Sequence, residues 1–254
     1  MLSRKYSLLV SGLVAAVVLA GAFAQAGTVS IVDITGDADC GISSTKTYTH
    51  TFDFGRTDQV PATVNGVLFT VIGRDPSQPT PMVIYGDNFQ LETFPVEGTT
   101  TGFNYPFPTT TTVPETDGIY QLLVDGLYSH GNHTNAKATL SGLTPGQDYD
   151  LRLYYRPRDV GGTRPETLYY DIGDDGSIEN SQYVDEDAGD AAHYISYAYT
   201  APSNGIVSVD VVPGGWCWYG LTNEVAGVVP EPSTLALLAC GLFGLLAYAW
   251  KKRR

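Results

Sequence analysis

Short alternations of apolar and polar residues, interrupted by Gly, Pro, Asn and Asp, run from Thr28 to Val225. A period of two sends successive side chains to opposite faces of an extended chain, so the pattern predicts half-buried strands. Twelve are expected, at 28–34, 47–54, 66–73, 81–85, 88–93, 119–124, 136–141, 148–156, 167–172, 193–200, 206–212 and 215–221. In the run from Tyr149 to Arg156, one face takes Tyr149, Leu151, Leu153 and Tyr155, and the other Asp150, Arg152, Tyr154 and Arg156. Val207, Val209 and Val211 alternate in the same way with Ser208 and Asp210. No stretch of this body has a convincing helical period. Strands of this kind pack as two sheets, and the expected fold is all-β.

Turn chemistry supports that reading. Asn204-Gly205 separates two strong strand candidates and Asn65-Gly66 precedes another, dipeptides suited to tight hairpin turns. The segment Gly142-Leu143-Thr144-Pro145-Gly146-Gln147-Asp148-Tyr149 resembles the inter-sheet crossing of fibronectin-type and other β-sandwiches. The resemblance implies a Tyr hydroxyl bonded to backbone upstream. So many strands over about 200 residues exceed one fibronectin-type module. They fit a single jelly-roll-like antiparallel β-sandwich spanning 27–226, as in galactose-binding-like and carbohydrate-binding modules. The alternative is two smaller sandwiches divided within the Thr/Pro-rich stretch from Thr99 to Pro114.

The two ends follow a different pattern. Arg4 and Lys5 precede an apolar run from Leu8 to Ala20, and small residues at cleavage spacing follow up to Ala26. Residues 1–26 therefore read as a secretory signal peptide. At the other end, Ser233 to Trp250 contains no charge and is followed by Lys251-Lys252-Arg253-Arg254. As a helix this run spans about 27 Å, enough for a thin bilayer, with the basic tail kept cytoplasmic. Pro230-Glu231-Pro232 immediately before it can continue neither helix nor strand. The Pro-Glu-Pro triplet, apolar helix and basic tail over 229–254 together resemble the PEP-CTERM sorting domain of bacterial exported proteins. That resemblance implies an exosortase, a membrane-embedded cysteine protease, as processing partner. It also implies anchoring by the C-terminal helix before processing, then delivery to the cell surface or extracellular matrix, often beside exopolysaccharide.

Charge changes the picture next. The whole chain carries −13, but six of its fourteen Lys and Arg lie in the terminal segments. The body from Gly27 to Gly227 keeps 26 of the 27 acidic residues and is near −18. Phosphate backbones would be repelled, which excludes nucleic acid as a partner.

Four groups of residues are candidates for chemistry. Asp171, Asp174, Asp175 and Glu179, followed by Asp185, Glu186, Asp187 and Asp190, crowd one stretch; the first four have the oxygen chemistry of a structural calcium site, or of a solvated acidic loop. No other cofactor is expected. Trp216, Trp218 and Tyr219, together with Tyr154, Tyr155, Tyr169 and Tyr170 and with Arg152 and Arg156, could present rings and donors to a polysaccharide, or form core. Trp216 and Trp218 share one face of an extended strand, so they are exposed or buried together. Cys40 and Cys217 remain in an exported body and can form one disulfide, while Cys240 lies in the apolar tail helix. His130 and His133 flank Gly131-Asn132 without further ligands at zinc spacing. There is no nucleophile elbow and no phosphate-cradling loop. The expected function is that of a non-enzymatic, carbohydrate-binding surface or matrix protein; a polysaccharide hydrolase with paired carboxylates and a purely structural coat protein are the alternatives.

Overall fold

A computed structural model describes residues 27–74, 83–95, 105–106, 112–128, 134–157, 162–212 and 216–227. The expected signal peptide, the sorting segment with its helix, and His130 to His133 lie outside the described residues. Among the described residues no helix is long and apolar enough to cross a membrane.

The elements, in chain order, are β1 (Thr28–Ile34), β2 (Tyr48–Arg56), β3 (Thr63–Val64), β4 (Val67–Leu68), β5 (Thr70–Arg74), β6 (Val83–Gly86), β7 (Phe89–Pro95), β8 (Tyr105–Pro106), α1 (Gly118–Val124), β9 (Asp125–Tyr128), β10 (Thr134–Leu140), β11 (Asp148–Tyr155), β12 (Pro165–Ile172), β13 (Asn180–Asp185), β14 (Ala192–Thr200), β15 (Val207–Val212), β16 (Cys217–Trp218) and β17 (Gly220–Val225). Two six-stranded sheets face each other, ordered β1-β14-β11-β17-β2-β5 and β13-β12-β15-β10-β7-β6. Their pairings are antiparallel except β2 with β5. Strands from both sides of the Thr99–Pro114 stretch pair within both sheets, β2 with β17 and β7 with β10. Each sheet therefore needs both halves of the chain, which is the arrangement of one sandwich.

Alternation places the core as expected. Leu151, Leu153 and Tyr155 of β11 meet Leu168 and Tyr170 of β12 and Val207, Val209 and Val211 of β15 in one buried cluster. Tyr154 points the other way, into a second cluster with Ile34, Cys40, Val64, Phe69 and the helix residues Ile119, Leu122 and Leu123. The outer face of the first sheet is thus covered over much of its area by loops and α1. The Tyr149 hydroxyl accepts the Thr144 N–H at 3.0 Å, tying down the crossing loop as the motif implied.

Several boundaries differ from expectation. Residues 119–124 form α1 rather than a strand, because Ile119, Leu122 and Leu123 share one helical face, and all three are buried. The Asp37 carboxylate accepts the Gly118 and Ile119 N–H groups at 2.9 and 2.8 Å, satisfying two donors that a helix start leaves open. The 66–73 strand divides at Phe69: β4 folds back on β3 through Asn65 and Gly66, at φ 48° and 78°, and β5 joins β2. The 215–221 strand divides at Tyr219, whose N–H donates to Tyr154 and whose carbonyl accepts from Phe54. β13 was not expected, since Val184 alone among its side chains is buried.

Candidate functional site

The outer face of the second sheet is where aromatic and polar side chains meet solvent. Register aligns Tyr183, Thr167 and Val212 across β13, β12 and β15. The adjacent row runs Ser181, Tyr169, Asp210, Lys137, Glu92 and Val83. Tyr183 is 61% exposed, and Tyr85 on the far edge strand is 72% exposed. A cavity of about 160 Å³ opens here, lined by Pro165, Glu166, Thr167, Tyr169, Tyr183 and Val212. Lys137 pairs with Asp174, which also accepts the Ser208 hydroxyl at 3.0 Å. Burial pushes Asp210 up from the usual carboxylate range, against the opposing pull of Lys137. The result is a shallow groove with two tyrosine rings at one end and charged hydrogen-bonding groups beside them.

Of the aromatic and Arg residues singled out from sequence, Tyr169 lies in this groove, while the Trp and Arg residues lie elsewhere. Trp216, Trp218 and Tyr219 are all 0% exposed. Trp216 and Trp218 do share a face, with rings 5.1 Å apart, but that face belongs to the core between the sheets. Cys217 and Tyr219 alternate into the second cluster. The segment threads between two cores, so neither face is free for a sugar. Arg152 is buried too, donating to the Gly41 carbonyl at 3.0 Å and to Glu224 at 2.7 Å, and pairing with Asp150. Arg156 lies 4.8 Å over the Tyr219 ring and donates to the Leu123 and Pro157 carbonyls. Both guanidiniums hold buried structure together and present no donor to the surface.

Carboxylates of the acidic segment close the loop from β12 to β13. Asp171 accepts the Asp175 and Gly176 N–H groups at 3.1 and 2.8 Å, Asp175 accepts that of Ser177 at 2.9 Å, and Glu179 accepts that of Ile172 at 2.6 Å. Among the described residues no three His, Cys, Asp or Glu side chains are grouped to hold a metal ion. Cys40 and Cys217 are not joined, which corrects the disulfide expectation. The Cys40 thiol donates to the Asp37 carbonyl at 3.3 Å, and Arg164 approaches the Cys217 sulfur at 3.7 Å.

Behind the groove lies a buried polar group of which Glu166 escaped the sequence reading. Glu166 shares the inward face of β12 with Leu168 and Tyr170 and is 2% exposed; Glu186 is fully buried. Both Glu166 oxygens and Glu186 Oε2 lack a well-aligned partner, although Tyr155 and Glu186 face Glu166 closely. The Cys217 N–H donates to Glu186 Oε1, and Arg164 Nε lies 3.6 Å from both Glu186 and Asp187. Burial pushes Glu166 up to about 8, eased by Tyr155 and Arg164. Burial, then repulsion from Glu166, pushes Glu186 well above its ordinary value. Buried near each other, the two carboxyls both favour their neutral forms. The signal was present in the sequence: an acid in step with the apolar positions of a strand.

The sequence matches no curated protein. Solved structures with partial likeness include the extracellular domain of ANXUR1 from Arabidopsis thaliana, 11% identical, covering 71% of this chain and 49% of that one, at a TM-score of 0.38. The CBM22-1–GH10 modules of a Clostridium thermocellum endo-1,4-β-D-xylanase, complexed with xylohexaose, are 18% identical over 42% and 22% of the two chains, at 0.29. A structure described as "CBM4 structure and function" is 14% identical over 57% and 73%, at 0.26. The chain spans about half of the first of these and about a fifth of the second. At such TM-scores none bears on ligand or activity. Residues 228–254 match the PEP-CTERM protein-sorting motif. The chain therefore carries a PEP-CTERM sorting signal, which implies export, processing by an exosortase and sorting to the cell surface.

Proposed function

We propose that this is an exported bacterial cell-surface or matrix protein whose β-sandwich binds polysaccharide, without catalysis, along the outer face of its second sheet. The exposed Tyr183 ring beside Tyr169, over the 160 Å³ cavity, is the observation that carries the reading. Pyranose rings offer apolar C–H faces that stack on aromatic planes, and their hydroxyls need the donors and acceptors that Lys137 and Asp210 supply beside them. The proposed site is non-catalytic: Glu166, although it lines the cavity, is only 2% exposed, and Glu186 is fully buried. The structural calcium considered for the acidic loop belongs to the same proposal only as an accessory to folding.

Affinity electrophoresis through gels containing xylan, dextran, a soluble cellulose ether or alginate tests it. Retardation in at least one gel is expected, lost in the Tyr169→Ala/Tyr183→Ala double variant with its fold intact. Equal mobility of the two proteins in every gel refutes the reading. Release of reducing sugar that vanishes on substituting one carboxylate would establish a hydrolase instead.

A further inference from the structure

We infer that the groove selects its glycan by charge: it takes uncharged polysaccharide and turns away polyuronates, because its floor carries a surplus of carboxylates beside the tyrosine rings. This rests on the reading of the groove as the polysaccharide site. Strand parity puts those carboxylates there. Leu168, Val209, Val211, Ala138 and Leu91 point into the core, so their neighbours Tyr169, Asp210, Lys137 and Glu92 point outward. Register lays these four side by side across β12, β15, β10 and β7, with Asp210 and Glu92 directly opposite Lys137 on either side. Side chains so opposed stand about 4.5–5.5 Å apart at Cβ. Lys137 is also paired with Asp174, and Asp210, Asp174 and Asp171 all lie near enough to strengthen its hold on its proton. Among the described residues of this floor, four carboxylates therefore surround one ammonium. Asp174, Asp171 and Glu92 in turn repel Asp210. Lys137, Asp210 and Glu92 are each half-buried, so a chain lying on Tyr169 and Tyr183 meets them.

What a sugar carries then decides whether it is accepted. A hydroxyl both donates and accepts, whereas an ionised carboxylate only accepts. Asp210 and Glu92 can each take the O–H of an uncharged pyranose as a charge-assisted bond, and Lys137 can donate to a sugar oxygen. A uronate brings one more acceptor to a floor already rich in them. Its charge comes to rest beside Asp210 and Glu92 on a half-buried face, where water screens like charges less than in the open. Lys137 offers it little, being paired with Asp174 and flanked by two further carboxylates. Rejection by an unfavourable contact of this kind confers specificity without any added attraction for the chosen ligand. The body charge near −18 acts in the same direction at longer range, and salt screens that part.

Polymers matched in backbone and differing in charge provide the test: hydroxyethyl against carboxymethyl cellulose, dextran against carboxymethyl dextran, and arabinoxylan against glucuronoxylan. The purified full chain in mild detergent is run by affinity electrophoresis through each at about pH 8 and about 0.15 M salt, which screens charges beyond about 8 Å. The expected result is retention by the uncharged member of at least one pair, and at least about tenfold weaker retention by its anionic counterpart. Glu92→Gln/Asp210→Asn, checked for folding by circular dichroism, should shrink that ratio at least about threefold. Asp58→Asn/Glu115→Gln also removes two charges, from exposed loop positions beside the second cluster, and should leave the ratio as it is. Equal or stronger retention by the anionic member overturns the selection while polysaccharide binding stands. So does a ratio that both double variants shrink alike, or that neither moves. Retention by no polymer sinks the polysaccharide reading, and the selection with it.

Discussion

Asp53→Asn should make the protein less sensitive to pH, and the structure gives the size of the effect. Asp53 lies on β2 under the loop layer and is 1% exposed. Its Oδ2 accepts the Ala62 N–H at 2.9 Å, and its Oδ1 lacks a well-aligned partner, although the Gln59 side chain stands close to the carboxyl. Burial, then repulsion from Asp125, pushes this carboxyl up to about 7, against the bond from Ala62. Between the unfolded value of 3.8 and about 7, the folded chain holds this proton while the unfolded chain has lost it. Stability contributed by the group is therefore present in acid and falls as pH rises through that window. Each unit corresponds to about 1.4 kcal/mol, so about 3 kcal/mol is lost between about pH 4.5 and about pH 8.5. Asparagine keeps the carbonyl that accepts from Ala62 and removes the charge, at a constant cost of about 1–3 kcal/mol for a buried amide without partners. Urea unfolding of both proteins, followed by tryptophan fluorescence across this range, gives two curves whose difference cancels every other titrating group. That difference should move by about 3 kcal/mol in favour of the variant as pH rises. A difference that stays constant with pH refutes the reasoning.

Three further outcomes follow from the packing and the sorting signal. Trp218→Ala should cost about 3–5 kcal/mol in urea unfolding, whereas Tyr183→Ala should change stability by no more than about 0.5 kcal/mol; similar losses would contradict the burial described above. Because Cys40 and Cys217 are not joined, a reducing agent should leave the thermal midpoint unchanged, and a drop of several degrees would reveal a bridge. Replacing Pro230, Glu231 and Pro232 by alanine should leave the tail attached in a host with an exosortase, as judged by the mass of the surface-extracted protein.

The fold was legible wherever one face of a strand met the core and the other met water. β11 and β15 are such strands, and the Tyr149 crossing was readable because its hydroxyl bonds only five residues upstream. Legibility failed where a second core covers the first sheet. There both faces of a segment are apolar, period two loses its contrast, and Ile119 to Val124 reads as a strand although tertiary packing makes it a helix. The same cause hid the proposed groove. Trp216 and Trp218 attract attention by residue type, yet they lie between two cores, while Tyr183 looks ordinary in sequence and joins Tyr169 as a surface only when β13 pairs with β12. Glu166 was readable as an acid on an apolar face; Glu186, its partner, lies twenty residues away and depends on that pairing.

β17 also determines how the body responds to being pulled. It lies inside the first sheet, between β11 and β2, and its end is pinned where the Ala226 N–H meets the Asp148 carbonyl at 2.9 Å and Gln147 meets the Ala226 carbonyl at 3.2 Å. Tension arriving from the sorting segment runs along this strand, so it loads the cross-strand bonds on both sides in shear, together, instead of peeling an edge one bond at a time. The attachment point lies at the Asp148 end of the sandwich, while Pro165 and Val212 mark the opposite end, about 23 Å away along β12. Drag on a chain held in the groove would thus pass lengthwise through the sandwich and leave by a strand clamped on both sides.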